Sequence, residues 1–272
     1  MCDKIKDIKK HRADLSNYLM HFISNNPVSG LDAFAVLQKI INDGYLECGW
    51  SIQKGKRTIF GQKPAVCFTE MPLFAFFDYV VKRGDLNCVN NYGIALLTQN
   101  LFIRGARNVL YGTTNYTVEK FDANGNGYLI YYNENADAPE VRVFRDDELY
   151  RYMLTGIGEK NDWTHEREWR WVDYNNKIKN NQCLPLWSYQ ETSSYGKDLS
   201  DFFWDTIFII VQYEDEVPII KSMLSKQKGS ANILDNNISV TKIICKETLM
   251  KSSLPEHFGF SDIISKQLFV NI

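Results

Sequence analysis

The chain has 272 residues, a formal net charge of −2, 44% hydrophobic residues and 24% charged residues. That composition excludes a disordered chain, a collagen-like repeat and a coiled-coil rod, and it supplies no global positive field for holding nucleic acid. The 16 Phe, 15 Tyr and 6 Trp, beside only 7 Pro, point to a filled core with a large β component.

In chain order, Ile5, Ile8, Leu15 and Leu19 space as the apolar side of a helix over Lys4 to Leu19. Tyr18 to Ile23 then reads as a short apolar strand carrying one histidine, His21. Loop chemistry follows in Asn25 to Gly30, and helical spacing runs from Ala33 to Asp43, stopped by Gly44. Gly49 to Gly61 is polar and expected to be a mobile loop bearing Lys54, Lys56 and Arg57. Within Pro64 to Pro72 a short buried strand is expected, Val66-Cys-Phe-Thr-Glu, ending at Glu70, and a helix is expected over Leu73 to Arg83. Strands follow at Tyr92 to Thr98 and at Arg107 to Tyr111.

Asp122 to Gly127 is turn-like, before a Tyr-rich strand over Tyr128 to Tyr132. Asp147 to Leu154 suggests a helix and Trp163 to Asp173 a strand. Ile207 to Gln212, Val217 to Gln227 and Ile238 to Cys245 close the chain as strand, helix, strand. Strands mixed with helices, without regular alternation, predict an α+β fold. One domain over 1–272 is expected, with an N-terminal helix at 1–17 and a strand–helix–strand and tail at 200–272.

No apolar run approaches the 18 residues of a membrane span, and Met1 to Arg12 lacks an apolar leader. The six cysteines are scattered without metal-ligand spacing, so free thiols in the cytoplasm are expected, with no metal and no membrane partner. There is no glycine-rich phosphate loop and no nucleophile elbow. His165-Glu166 opens like a zinc-protease motif, but Trp169 stands where the second histidine belongs.

The densest chemistry is Trp163-Thr-His-Glu-Arg-Glu-Trp-Arg-Trp171. As a strand it would set Glu166, Glu168 and Arg170 on one face and His165, Arg167, Trp169 and Trp171 on the other. The plain reading is a salt ladder on an exposed sheet face, with Trp169 and Trp171 anchoring the strand in the core. The functional reading adds His21, Glu70, Arg104, Arg107 and the loop around Arg57, together a site for a charged sugar-phosphate ligand.

The run Leu19-Met-His-Phe22, the helix to Asp43-Gly44, Lys63 to Pro72, Tyr92 to Ala95, Gly105 to Tyr111 and His165 to Arg170 resembles the bacterial AbiGi abortive phage resistance (antitoxin) family. More distantly, the same layout is similar to DarT-type DNA ADP-ribosyltransferases. The resemblance implies a split, mostly antiparallel sheet of the ADP-ribosyltransferase type, with NAD as substrate. It also implies Glu168 and Glu166 as catalytic acids, and His21, Phe22, Arg57, Glu70, Arg107 and Arg170 as NAD contacts. The acceptor would be a nucleic acid or a protein, and a cognate toxin, antitoxin or phage protein is a possible partner.

A carboxylate on the ribose 2′-OH would stabilise the oxocarbenium-like centre formed as nicotinamide leaves. Two other readings stand beside that one. The first is a non-catalytic antitoxin or phage-sensing binding protein with the same fold. The second is a nucleic-acid-processing enzyme using His21 and Glu168 as an acid–base pair.

Overall fold

The computed structural model describes residues 16–53, 56–61, 63–113, 117–121, 127–131, 141–142, 148–155, 162–173, 183–188 and 202–272. The helix expected before residue 16 lies outside them. Its last expected residue, Leu19, is instead in a strand.

The first half of the chain runs β1 (Tyr18–Ile23), α1 (Ala33–Asp43), β2 (Tyr45–Glu47), β3 (Ile52–Gln53), β4 (Lys56–Arg57) and β5 (Val66–Thr69). Then come α2 (Leu73–Arg83), β6 (Tyr92–Leu97), α3 (Thr98–Ile103), β7 (Arg107–Asn108) and β8 (Leu110–Thr113). The middle supplies β9 (Thr117–Phe121), β10 (Gly127–Tyr131), β11 (Val141–Arg142), β12 (Tyr152–Thr155), β13 (Glu168–Trp171) and β14 (Cys183–Pro185). The last stretch holds β15 (Ile207–Val211), α4 (Glu216–Gln227), α5 (Asp235–Ser239), β16 (Thr241–Cys245), α6 (Lys246–Met250), α7 (Phe260–Ser265) and β17 (Val270–Asn271). The fold is α+β.

Eight strands form the main sheet in the order β17-β16-β15-β6-β1-β5-β13-β7. All neighbours are antiparallel except β15 and β16, which α4 and α5 join as a parallel crossover. Ladder depth varies sharply along it. β1 pairs with β6 at six positions, from Tyr18↔Leu97 to Ile23↔Tyr92, and β5 pairs with β13 at four. Between β1 and β5 only Met20↔Thr69 is in register. β1 and β5 nevertheless lie side by side as neighbours in one continuous sheet, and Met20↔Thr69 is the registered pair at this seam.

Both faces are covered, so central strands read as apolar runs rather than alternating ones. Leu19, Ile23, Phe68, Ile94, Trp171, Ile207 and Ile209 face the layer that holds α1, α4 and Trp187. Met20, Ala95, Phe208 and Ile210 face α2 and α7. Phe258 and Phe260, near the C-terminus, are buried in that second layer, and Phe269 packs against it.

The helix ends are set by local chemistry. Asp32 caps α1 by accepting from Ala35 N at 2.8 Å, and Gly44 ends it in the left-handed region at φ 76°. The Gly44 carbonyl then accepts from the backbone of Leu186, Trp187 and Ser188, which docks the β14 segment on that turn.

Several expected elements are replaced. Gly49 to Gly61 contains the hairpin β3–β4 rather than loop alone. Asp147 to Leu154 is not a helix: a 3₁₀ turn at Leu149–Arg151 leads into β12, which pairs in parallel with β8. The strand expected over Arg107 to Tyr111 is interrupted at Val109, leaving β7 and β8 in different sheets. Residues 235–239 form α5, so the strand expected from Ile238 begins at Thr241. The turn expected at Asp122 to Gly127 falls mostly outside the described residues.

Candidate functional site

The seam between β1 and β5 organises the chemistry of the molecule, with one polar cluster on each face of the sheet.

On the α1 face, His21 spans the seam. Its Nδ1 lies 2.8 Å from the Cys67 carbonyl, a side-chain bond where the ladder makes no registered pair. A carbonyl only accepts, so Nδ1 carries the proton and Nε2 of the neutral ring is left as an acceptor. Burial lowers the imidazole pKa below its ordinary value, and the bond to Cys67 opposes that shift in part.

His21 borders a hollow of about 230 Å³ lined on its polar side by Asn26, Ser29, Lys39, Asp43, Tyr45 and Glu47. Leu31, Val36, Ile40 and Leu46 supply its apolar side. Lys39 Nζ lies 2.5 Å from Asp43 Oδ2 and 3.8 Å from Glu47 Oε1, so the cation is shared between two carboxylates. The sequence carried a signal for this group: Lys39 and Asp43 stand four apart on α1, and Glu47 follows the Gly44 turn. By spacing alone these positions mark only a helix and its end.

On the α2 face stand the acids of the Glu-Arg-Glu triplet, in two different settings. Trp163 to Asp173 is not one strand: Thr164–Glu166 is a 3₁₀ turn, and Arg167 sits at φ 47°. A non-glycine residue in the left-handed region breaks extended structure, so strand alternation starts only at Glu168. Glu166 Oε1 accepts from the Tyr79 hydroxyl at 2.9 Å and lies 3.5 Å from Arg83 Nη1. Arg83 in turn hydrogen-bonds the Tyr79 oxygen and stands 5.9 Å from the Trp163 ring centre. Burial raises the Glu166 pKa; the Tyr79 bond opposes the rise and the Glu168 charge adds to it.

Glu168 is held differently. Arg170 Nε lies 2.7 Å from its Oε1 and Nη2 lies 3.1 Å from its Oε2. The guanidinium is fully buried, and its Nη1 donates to the carbonyls of Tyr150 and Tyr152. The expected exposed salt ladder is therefore an interior ion pair. Burial alone would lower the Arg170 pKa; the Glu168 charge and hydrogen bonds, with Cys67 and Tyr111, together raise it above its ordinary value. The Glu168 backbone N–H donates to the Tyr111 hydroxyl at 2.8 Å, and burial raises that phenol to about 12.

Register fixes how these clusters relate. Met20, Thr69 and Glu168 lie opposite one another across three strands and share the α2 face. His21 projects one residue on, to the α1 face, where its ring lies 6.0 Å from that of Phe68. His21 and Glu168 do not converge.

The other expected NAD contacts scatter as well. Phe22 stacks on Phe76 at 5.1 Å, in the α2 layer. Glu70 accepts from Trp169 Nε1 at 3.4 Å. Arg107, on the edge strand β7, stacks over Phe102 at 4.4 Å and donates to the Phe102 and Ala106 carbonyls. Arg170 is internal, and the Arg57 side chain lies outside the described residues. Of the expected set, His21 is the residue that borders the hollow.

Trp171 anchors β13 in the core as expected, donating through Nε1 to the Arg104 carbonyl at 2.9 Å. Among the described residues no group of three or more His, Cys, Asp or Glu is placed to hold a metal ion. No helix among them is long and apolar enough to cross a membrane. Cys48, Cys67, Cys88, Cys183 and Cys245 are free thiols. No protein-family model matches this chain, and no curated protein or solved structure is significantly similar to it.

Proposed function

We propose that this chain is a non-catalytic binding protein that takes one ribose-bearing half of an NAD-class dinucleotide in the hollow beside His21. Neutral His21 offers Nε2 as an acceptor for a sugar hydroxyl. Asp43 and Glu47 add carboxylate acceptors, and Leu31, Val36, Ile40 and Leu46 give a flat ring an apolar wall. About 230 Å³ suits a nucleoside rather than a whole dinucleotide.

The observation that carries the non-catalytic reading is the closure of Glu168 by Arg170 on the face opposite His21. Cleaving the nicotinamide–ribose bond calls for a carboxylate aimed at the sugar as charge develops. Both oxygens of Glu168 are already engaged. In the phage-defence setting that the resemblance implies, the protein would act as an antitoxin or sensor of the nucleotide pool.

Calorimetric titration with NAD, ADP-ribose and nicotinamide riboside tests the binding. Saturable heat with at least one of them, lost in His21→Phe, is the expected result; silence with all three sinks the proposal. Incubation with labelled NAD and a cell lysate should release no nicotinamide and label no macromolecule. Release that disappears in a folded Glu168→Gln variant would reinstate the transferase reading.

A further inference from the structure

The charges around the hollow beside His21 do not balance. Among the described residues of its lining, Lys39 is the cation, set against the carboxylates of Asp43 and Glu47. His21 adds no charge at neutral pH, because burial holds its imidazole below the ordinary pKa. Lys39 Nζ lies 2.5 Å from Asp43 Oδ2 and 3.8 Å from Glu47 Oε1. One ammonium thus faces two carboxylates, which leaves a surplus negative charge. Asp43 Oδ1 and Glu47 Oε2 accept from no donor among the described residues.

Tyr45 stands between these acids in the chain and lines the same hollow. Its phenol registers the imbalance. Burial raises its pKa first, Asp43 and Glu47 raise it further, and Lys39 opposes them with less effect. An aromatic ring beside surplus negative charge suits a flat cation, which is drawn by the ring face as well as by the carboxylates. A phosphate would instead meet two acids and a cation already shared between them.

The parts of an NAD-class dinucleotide differ in this respect. Oxidised nicotinamide is a pyridinium with a positive charge on its ring, whereas adenine and dihydronicotinamide are neutral. Resting on the reading above that the hollow takes one half of such a dinucleotide, we infer that this half is the oxidised nicotinamide riboside. Val36 and Ile40 give the ring an apolar wall, and Tyr45 with the spare carboxylate oxygens supplies its counter-charge. His21 Nε2 accepts from a ribose hydroxyl. The reduced riboside and adenosine lack the charge that the lining answers. A protein built this way reports the oxidised share of the nucleotide pool.

The test is calorimetric titration of the full-length protein with nicotinamide riboside, reduced nicotinamide riboside and adenosine, at low and at physiological salt. Nicotinamide riboside should bind about tenfold more tightly than either neutral compound. Salt should narrow that gap, because the carboxylates are partly exposed. Glu47→Gln and Asp43→Asn each remove one negative charge and should each narrow it as well, with melting temperature checking that both variants fold. Equal affinity for the oxidised and reduced ribosides, or tighter binding of adenosine, overturns the inference and leaves the dinucleotide reading standing. A gap unchanged by salt and by both folded variants overturns it too. Silence with all three compounds removes the dinucleotide reading itself.

Discussion

Arg170 grips Glu168 from two positions further along the same strand, and the pair fills both carboxylate oxygens in the interior of the sheet. Alternation puts i and i+2 on one face, so the strand presents this pair to itself. The last guanidinium nitrogen is spent on the Tyr150 and Tyr152 carbonyls, which binds β13 to the turn before β12.

Removing one partner leaves the other charge buried and alone. Glu168→Gln is expected to cost about 3–5 kcal/mol, read as a lower midpoint in guanidinium unfolding. Replacing both, Glu168→Leu with Arg170→Met, should cost less than the two single losses added together. A Glu168→Gln midpoint equal to that of the parent would show that the pair does not hold the sheet.

Glu166 gives the molecule a pH-dependent term. Its folded pKa is raised, chiefly by burial, so the folded state keeps a proton that the unfolded state has released. The contribution to stability is complete below the ordinary glutamate pKa of about 4.3 and is lost as pH rises through the folded value. Glu166→Gln keeps an oxygen for Tyr79 and removes the titration. The variant should gain melting temperature relative to the parent between about pH 4 and about pH 7. A constant difference across that range would exclude the effect.

His21 should behave in the opposite sense. Its folded pKa is lowered, so its contribution is present above the ordinary value and lost as pH falls through the folded one. Nitrogen-15 NMR should find the Nδ1–H tautomer, matching the bond to Cys67, with titration below about 6.5. An Nε2–H tautomer would mean that the imidazole does not bridge the seam.

Two glycines separate backbone strain from crowding. Gly44 and Gly84 both end helices at positive φ, at 76° and 64°. Alanine in that region costs about 1–2 kcal/mol. A methyl group at Gly44 would also collide with Ser188 Cβ, whereas at Gly84 it meets open space. Gly44→Ala should therefore destabilise by a further 1–3 kcal/mol or so beyond Gly84→Ala, measured in urea melts. Equal losses would argue that residues 186–188 do not dock on this turn.

Where local chemistry is decisive, the sequence was legible. The limits of α1 and α2, the Gly44 stop, the strand after Ala65 (expected to end at Glu70, one residue beyond Thr69) and the carboxyl-terminal β15–α4 pattern follow from apolar spacing and capping residues. Trp163 to Asp173 misled because alternating polar and aromatic residues satisfy a strand pattern equally well when the first turn is 3₁₀. Nothing local forbids Arg167 from the left-handed region; the Glu70 N–H bond to its carbonyl, formed between the end of β5 and the start of β13, holds it there.

The sequence by itself determined which residues are apolar, which segments extend or coil, and that His21 and the Glu-Arg-Glu acids are the exceptional polar groups. Only the tertiary structure decided what those groups face. A strand's two faces are equivalent until its register with a neighbour is set; the six β1–β6 pairs, Met20↔Thr69 and the four β5–β13 pairs set it here. Those registers turn His21 toward the α1 hollow and Glu168 toward Arg170, because Glu168 lies in line with Met20 across three strands and consecutive positions along β1 point to opposite sides of the sheet.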